Sequence, residues 1–193
     1  KMAPTVKHMA RVLYGIYLGM TLLEVLFLLI GKCPLFDALT ISFGTAGTGG
    51  FGIKNDSIMS YTPYIQWVVT IFMIMFGVNF AAYYLILLRK FKKAFKMEEV
   101  RWYLIIILAS IGLIFYDILH LSGGTFKSMT DAAFQVASII TTTGFSTVDF
   151  NLWPQACKTI LVLLMFVGAC AGSTGGGIKV SRFVILVKTL GKE

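Results

Sequence analysis

Apolar residues form four long segments and two short ones along the chain, separated by polar and glycine-rich stretches. The long segments cover residues 11–30, 64–88, 102–121 and 156–190. A helix needs about 20 apolar residues to cross a bilayer, so each long segment predicts a membrane-spanning helix. The short segments, 34–46 and 128–141, predict re-entrant half-helices that enter the membrane and return. The pattern therefore predicts an all-α membrane protein.

The second half of the chain repeats the first. Residues 37–51 read DALTISFGTAGTGGF, and residues 131–145 read DAAFQVASIITTTGF. Setting Asp37 on Asp131 also sets Thr48 on Thr142, Gly50 on Gly144 and Phe51 on Phe145. Each copy lies between two long apolar segments, as in the helix–pore loop–helix modules of potassium channels. We therefore predict two modules, residues 1–100, which end in a basic linker, and residues 101–193.

A glycine- and threonine-rich loop follows each half-helix, TAGTGGFG at 45–52 and TTTGFST at 141–147. Irregular backbone at membrane depth persists only where protein or a water-filled cavity surrounds it. Gly50 and Gly144 can adopt positive φ, which lets successive carbonyls face one axis and replace the hydration shell of a potassium ion. The half-helices point their C-terminal ends at the same axis, where the negative end of the helix dipole favours cations.

We call these two loops the filter loops. The predicted potassium-binding residues are Thr48, Gly49, Gly50, Phe51, Thr142, Thr143, Gly144 and Phe145. The alternative interpretation is a pair of helix caps at a membrane surface. Two copies in the same context, each between a half-helix and a span, favour the filter.

A third glycine-rich segment, GACAGSTGGG at 168–177, interrupts the last apolar segment. Glycine costs about 1 kcal/mol relative to alanine in a helix interior, so the helix should break there. No such run follows Gly77 in the first module, and this asymmetry predicts a specialised gating loop. Its residues are Gly168, Gly172, Ser173, Thr174, Gly175, Gly176 and Gly177. A hinge or a tight helix-packing face is the alternative.

Charge sets the predicted orientation. The chain is 57% hydrophobic and 13% charged, with a mean hydropathy of +0.81. The net charge of +8 lies in blocks between apolar segments, which argues against nucleic-acid binding. Thirteen of the 17 Lys and Arg residues fall on one side, which predicts cytoplasmic termini and filter loops open to the exterior. The linker 89–101 predicts contact with anionic lipid or, alternatively, a docking surface for a cytosolic partner.

Isolated polar residues add further predictions. Lys179 and Arg182 are three positions apart, which places them on one face of a helix. They are predicted to be either anchors whose side chains snorkel to the membrane surface or an inner barrier below the gating loop. Glu24, in the middle of the first span, predicts an internal packing role or a functional carboxylate. Two histidines at opposite faces and the lack of a metal-ligand spacing argue against an enzyme. The three cysteines predict no disulfide framework, although a Cys33–Cys157 bridge stays open.

The paired filter loops, followed by Trp-Pro and then by GACAGSTGGGIKVSR, resemble the Trk/Ktr/HKT superfamily of potassium transporters. The likeness is greatest to the membrane subunits of bacterial Trk uptake systems and covers nearly the whole chain. It implies a multi-pass protein of the bacterial cytoplasmic membrane with potassium as the transported ion. Members carry four such repeats around one pore, so this chain resembles the second and third.

The resemblance also implies the roles of the loops and the partners. It assigns the filter to Thr48–Phe51 and Thr142–Phe145, and the intramembrane gate to Gly168–Gly177. It implies a homodimer that works with a cytosolic nucleotide-binding regulatory subunit. The family filter has a single glycine per repeat where tetrameric potassium channels have Gly-Tyr-Gly, which keeps a less selective K⁺/Na⁺ channel open as an alternative. A non-conducting membrane scaffold that retains the pore fold is the other alternative.

Overall fold

The computed structural model describes residues 6–121 and 123–190. The predicted cytoplasmic termini, with Lys1 and Lys192, lie outside this part of the chain. The helices are α1 (Val6–Ile30), α2 (Leu35–Ala46), α3 (Pro63–Phe76), α4 (Phe80–Leu87), α5 (Phe91–Phe95), α6 (Glu98–Ile118), α7 (Thr125–Ile140), α8 (Gln155–Phe166) and α9 (Val180–Leu190). A 3₁₀ turn covers Phe150–Leu152. The described residues form no strand, only one parallel bridge between Val167 and Ile178, which confirms the all-α fold class.

In the described part of the chain, two helices are long and apolar enough to cross a membrane, Lys7–Ile30 and Glu98–Ile118. Side chains such as Leu22, Leu26 and Ile30 are exposed along α1. In a bilayer such apolar faces contact lipid or neighbouring helices. The chain is thus a multi-pass membrane protein, as the apolar pattern predicts.

The predicted continuous second span is wrong. In its place, α3 and α4 meet at a bend of 90°. A side chain at Gly77 would overlap Tyr103, since an added Cβ would lie 2.1 Å from the Tyr103 hydroxyl. Asn79 then begins a new helix, because its Oδ1 accepts the backbone N–H of Ala81 at 2.9 Å. Asparagine is among the preferred N-cap residues, so the new helix has a local reason to start there.

The two short helices appear where the sequence predicts them. α2 follows Pro34, and α7 begins slightly earlier than predicted, after Gly124. The last apolar segment breaks as predicted, with α8 ending at Phe166 and α9 beginning at Val180.

Packing joins the two modules through α7. One core cluster belongs mainly to the first module but includes Phe134, Ala137 and Phe145 of the second. A second cluster packs other residues of α7 against residues of α6 and α8. The Trp67 indole N–H also donates to Thr130 Oγ1 at 3.0 Å, from α3 to α7. α7 therefore lies between the two modules, whereas α2 leaves Phe36 and Phe43 exposed.

Candidate functional site

The two filter loops have the same backbone turn. φ is positive at Thr48 and Gly50 (49° and 66°), and again at the aligned Thr142 and Gly144 (59° and 91°). The hydrogen bonds also match, since Gly49 N donates to Gly44 O at 2.8 Å and Thr143 N donates to Ser138 O at 2.9 Å. The positive φ at both glycines agrees with the sequence analysis. The positive φ at both threonines was missed, because a β-branched residue rarely adopts it.

The filter loops touch each other at Gly50. A Cβ added to Gly50 would lie 1.9 Å from the carbonyl oxygen of Thr143. At Gly144 the same addition meets nothing within 4 Å. Gly50 is therefore required by both its φ and a close backbone approach, whereas Gly144 is required by its φ alone.

Side chains fasten the second filter loop to its half-helix. The Ser138 hydroxyl donates to Phe145 O at 2.5 Å and accepts from Gly144 N at 3.1 Å. The hydroxyls of Thr141 and Thr143 lie 2.8 Å apart, and Thr141 also donates to Ala137 O. These bonds are buried, where a hydrogen-bonded network holds its members in one arrangement.

The predicted filter phenylalanines differ in environment. Phe145 is 1% exposed and its ring faces Gly44, where an added Cβ would lie 3.0 Å from Phe145 Cζ. Phe51 is 82% exposed. Phe145 thus packs the second loop against the first half-helix, whereas Phe51 has no such place among the described residues.

The glycine-rich segment 168–177 lies against both filter loops. Gly176 N donates to Thr142 Oγ1 at 2.7 Å, and Thr48 Oγ1 donates to Thr174 O at 3.2 Å. One threonine of each filter loop, Thr48 and its aligned partner Thr142, therefore bonds the segment. The structure brings the three predicted functional loops together in one place.

The segment closes on itself at a narrow neck. Gly168 N donates to Ile178 O at 2.8 Å, and Ile178 N donates to Phe166 O at 3.3 Å. A Cβ on Gly168 would lie 2.1 Å from Gly176 O, and one on Gly175 would lie 2.7 Å from the Ala169 Cβ. Glycine is thus needed here for backbone-to-backbone packing and not only to interrupt a helix.

The segment also fills the break between α3 and α4. Cys170 N donates to Gly77 O at 3.0 Å, Thr174 N donates to Phe76 O at 3.4 Å, and Phe80 N donates to Gly172 O at 3.1 Å. The carbonyls that end α3 therefore find their partners in the other module. Sequence analysis missed this contact, and the only signal for it was Asn79 in an apolar segment.

Lys179 and Arg182 lie at the start of α9, and the inner barrier predicted from them stays a prediction. Lys179 lies just before α9, and its Nζ donates to the carbonyl oxygen of Gly175. Arg182 lies in the first turn of α9, where its backbone N–H donates to Lys179 O at 2.9 Å. The charge of Lys179 is therefore directed at the glycine-rich segment.

The cysteines and Glu24 complete the predicted residues. All three cysteines are free and buried, so the Cys33–Cys157 bridge is wrong. Cys157 instead donates to Asp117 Oδ2 at 3.6 Å. Glu24 is fully buried in α1, and both its carboxylate oxygens lack a hydrogen-bond partner among the described residues. The described residues also hold no cluster of three or more His, Cys, Asp or Glu that could bind a metal.

The aligned aspartates Asp37 and Asp131 have different partners. The Tyr61 hydroxyl donates to Asp37 Oδ2 at 2.6 Å, whereas Thr147 Oγ1 lies 3.5 Å from Asp131 Oδ1. Burial raises the pKa of the Tyr61 phenol well above its usual value, and the bond to Asp37 acts in the same direction. Tyr61 therefore stays protonated and keeps donating to Asp37 at neutral pH.

Comparison with known proteins assigns the chain to one protein family. The family model for TrkH, described as a cation transport protein, matches residues 1–193. The chain is 32% identical over 200 residues to the Trk system potassium uptake protein TrkH of Salmonella typhimurium, covering 100% of this chain and 41% of that protein. It is 30% identical over 194 residues to TrkI of Halomonas elongata, covering 98% and 39%.

A solved structure agrees with these relatives. The crystal structure of the potassium transporter TrkH from Vibrio parahaemolyticus matches with a TM-score of 0.90 and 30% identity. The match covers 96% of this chain and 41% of that one. The chain thus spans about two fifths of the length of the proteins it resembles.

Proposed function

The chain belongs to the TrkH family of cation transport proteins, and on that premise we propose that it forms two pore repeats of a bacterial potassium uptake protein. The named relatives are potassium uptake proteins, and this chain spans about two fifths of their length. It contains two filter loops, and the position of the glycine run after the second loop supports the second and third of four repeats around one pore. The membrane would be the bacterial cytoplasmic membrane.

The observation that carries this proposal is the repeated backbone turn of the filter loops. Each loop alternates positive and negative φ from its threonine to its glycine, and the two loops meet at Gly50 and Thr143. Alternation of this kind can direct carbonyl oxygens to one side of a chain, and rings of carbonyls coordinate dehydrated potassium. The filter is therefore assigned to residues 48–51 and 142–145.

A gate at residues 168–177 is the second part of the proposal. The segment bonds a threonine in each filter loop, so in this position it obstructs the path below them. Lys179 donates to a carbonyl of the segment and brings a positive charge that repels cations. We infer that the segment moves aside when the transporter opens. A cytosolic nucleotide-binding regulatory subunit, acting on a homodimer, is the partner we propose for that movement.

Gly144→Ser in the full-length protein tests the filter. The substitution strains a residue with a φ of 91° but meets no neighbour within 4 Å, so it should disturb the turn and leave the fold intact. We expect Rb⁺ uptake or K⁺/Na⁺ preference to fall about tenfold. The measurement is Rb⁺ uptake by proteoliposomes with and without competing Na⁺.

The matched control is Gly123→Ser. Gly123 also has positive φ (69°) with nothing near an added Cβ, but it lies before α7 and outside the filter. Wild-type transport by both variants would remove the filter assignment. Flux with little K⁺/Na⁺ preference in the wild-type protein would identify the less selective K⁺/Na⁺ channel, and no flux through the wild-type protein would favour the scaffold.

A further inference from the structure

Glu99 lies at the junction of three elements that the sequence keeps apart. It is the second residue of α6, shortly after the basic residues 89–96 of the linker, and is half-buried. Its Oε1 accepts the backbone N–H of Ala171 at 2.5 Å, inside the glycine-rich segment. Its Oε2 accepts the side-chain amide of Asn79 at 3.2 Å, in the break between α3 and α4.

These two bonds differ from the others that hold the segment. The other backbone N–H groups of the segment that have a partner donate to neutral oxygens, such as Gly77 O and Thr142 Oγ1. Among the described residues, Glu99 is the one carboxylate that accepts a hydrogen bond from the segment. A hydrogen bond to a charged acceptor is stronger than a neutral one, and losing it leaves a buried donor unsatisfied.

The geometry also fixes which way the Asn79 amide points. Asn79 Oδ1 accepts from Ala81 N at 2.9 Å and caps α4. Its Nδ2 must therefore face Glu99, and a flip of the amide would cost the cap. The two oxygens of Glu99 thus accept hydrogen bonds from two donors, Ala171 N and Asn79 Nδ2. A neutral amide side chain has only one acceptor oxygen and could not accept both bonds.

We propose that Glu99 is a positioning residue that holds the glycine-rich segment against the filter loops, and that movement of the first turn of α6 releases it. This inference rests on the proposed gate and names how the gate is regulated. The turn follows the basic residues 89–96 within the linker 89–101, so a displacement of the linker reaches Ala171 through a single side chain. No other contact in the described residues joins a charged group of α6 to the segment.

The test uses the full-length transporter with Cys170 as its single cysteine. Cys170 is fully buried in the segment, so its thiol reports whether the segment leaves its place. We measure the rate at which a methanethiosulfonate reagent labels Cys170 from the cytoplasmic side, and K⁺ flux without any regulatory subunit. We expect Glu99→Gln to raise the labelling rate and the K⁺ flux about tenfold, because Gln has one acceptor oxygen and cannot accept hydrogen bonds from both donors.

Three further variants make the result specific. Glu99→Asp keeps the charge but is one methylene shorter, so it should raise the labelling rate about threefold. It tests the role of Glu99 if Glu99→Gln does not fold. The double variant Asn79→Asp/Glu99→Gln restores a donor for each acceptor and should return both rates toward wild type. Glu98→Gln is the matched control, since Glu98 is exposed and pairs with Lys188, an interaction of small energy.

The outcomes separate this inference from the gate itself. Labelling at the wild-type rate in both Glu99 variants overturns the role of Glu99, whatever the flux. Faster labelling with unchanged flux supports the role of Glu99 but removes the gate from the proposed function. Faster labelling in Glu98→Gln as well would mean that any charge loss in this turn loosens the segment, and would also overturn the inference.

Discussion

The two filter loops share one backbone turn but achieve it with different chemistry. The second loop is fastened by hydroxyl groups at Ser138 and Thr143. The first loop has glycine at both aligned positions, Gly44 and Gly49. Instead, it is placed by contact, with Gly44 against the Phe145 ring and Gly50 against the Thr143 backbone. The second loop is thus stabilised from within its own module, and the first loop is shaped by the second.

The helix breaks of the two modules form a similar pair. The first break spans only residues 77–79, whereas the second opens into the segment 168–177. At the short break, backbone carbonyls accept hydrogen bonds from the long one, where the N–H groups of Cys170 and Thr174 are the donors. Each break satisfies backbone hydrogen-bonding groups of the other, so the two breaks stabilise each other.

Gly50→Ala against Gly144→Ala gives the largest contrast between the filter loops. At Gly50 the new Cβ would overlap a backbone carbonyl, and we expect a loss of more than about 3 kcal/mol in the free energy of unfolding. At Gly144 only positive φ is penalised, by about 1–2 kcal/mol. Thermal unfolding of the full-length protein in detergent, followed by size-exclusion, measures both. Equal losses would show that the first loop does not depend on the second.

Deleting Gly172–Gly176 tests the contrast between the two breaks. The deletion removes the bonds from Thr48 and Thr142 to the segment but keeps the neck residue Gly168. We expect K⁺ flux without the regulatory subunit to rise about tenfold, because the obstructing residues and their hydrogen bonds to both filter loops are removed. A variant that folds normally and shows unchanged or lower flux would leave the segment as a packing element.

Ser138→Ala is a smaller test, directed at how the second loop is fastened. The buried hydroxyl bonds both Phe145 O and Gly144 N, and its loss should cost about 1–3 kcal/mol and lower K⁺/Na⁺ preference. Ser42→Ala is the matched control. Ser42 is also buried on a half-helix, but its hydroxyl has no partner among the described residues. Its removal should change stability by less than about 0.5 kcal/mol, and an equal effect of the two variants would contradict the fastening.

Much of this fold follows from sequence patterns that act locally. The short helices are recognisable because 34–46 and 128–141 are apolar yet too short to span, and the glycine run 168–177 marks where a helix cannot continue. The repeat of Thr48 and Gly50 at Thr142 and Gly144 marks the filter loops. These signals need no knowledge of which residues meet in space.

The parts that sequence analysis missed depend on contacts between distant residues. At the break, Gly77 leaves room for the hydroxyl of Tyr103, and the local signal is limited to the N-cap residue Asn79. Positive φ at Thr48 opposes the intrinsic preference of threonine, so only the surrounding structure imposes it. Glu99 follows a charged linker and was interpreted with that linker, although its carboxylate reaches a segment 72 positions away.

The neck of the glycine-rich segment has a consequence for kinetics. Because Gly168 and Ile178 are joined by a short backbone hydrogen bond, the nine residues between them form a closed ring rather than a free strand. Closing a loop removes part of its conformational entropy in advance, so after release the segment has fewer accessible arrangements than a free strand of the same length. We therefore expect exchange between two discrete states, on the microsecond-to-millisecond scale of segment motions. Single-molecule current records of the complete transporter would then show separate dwell times at fixed conductance levels instead of a graded current.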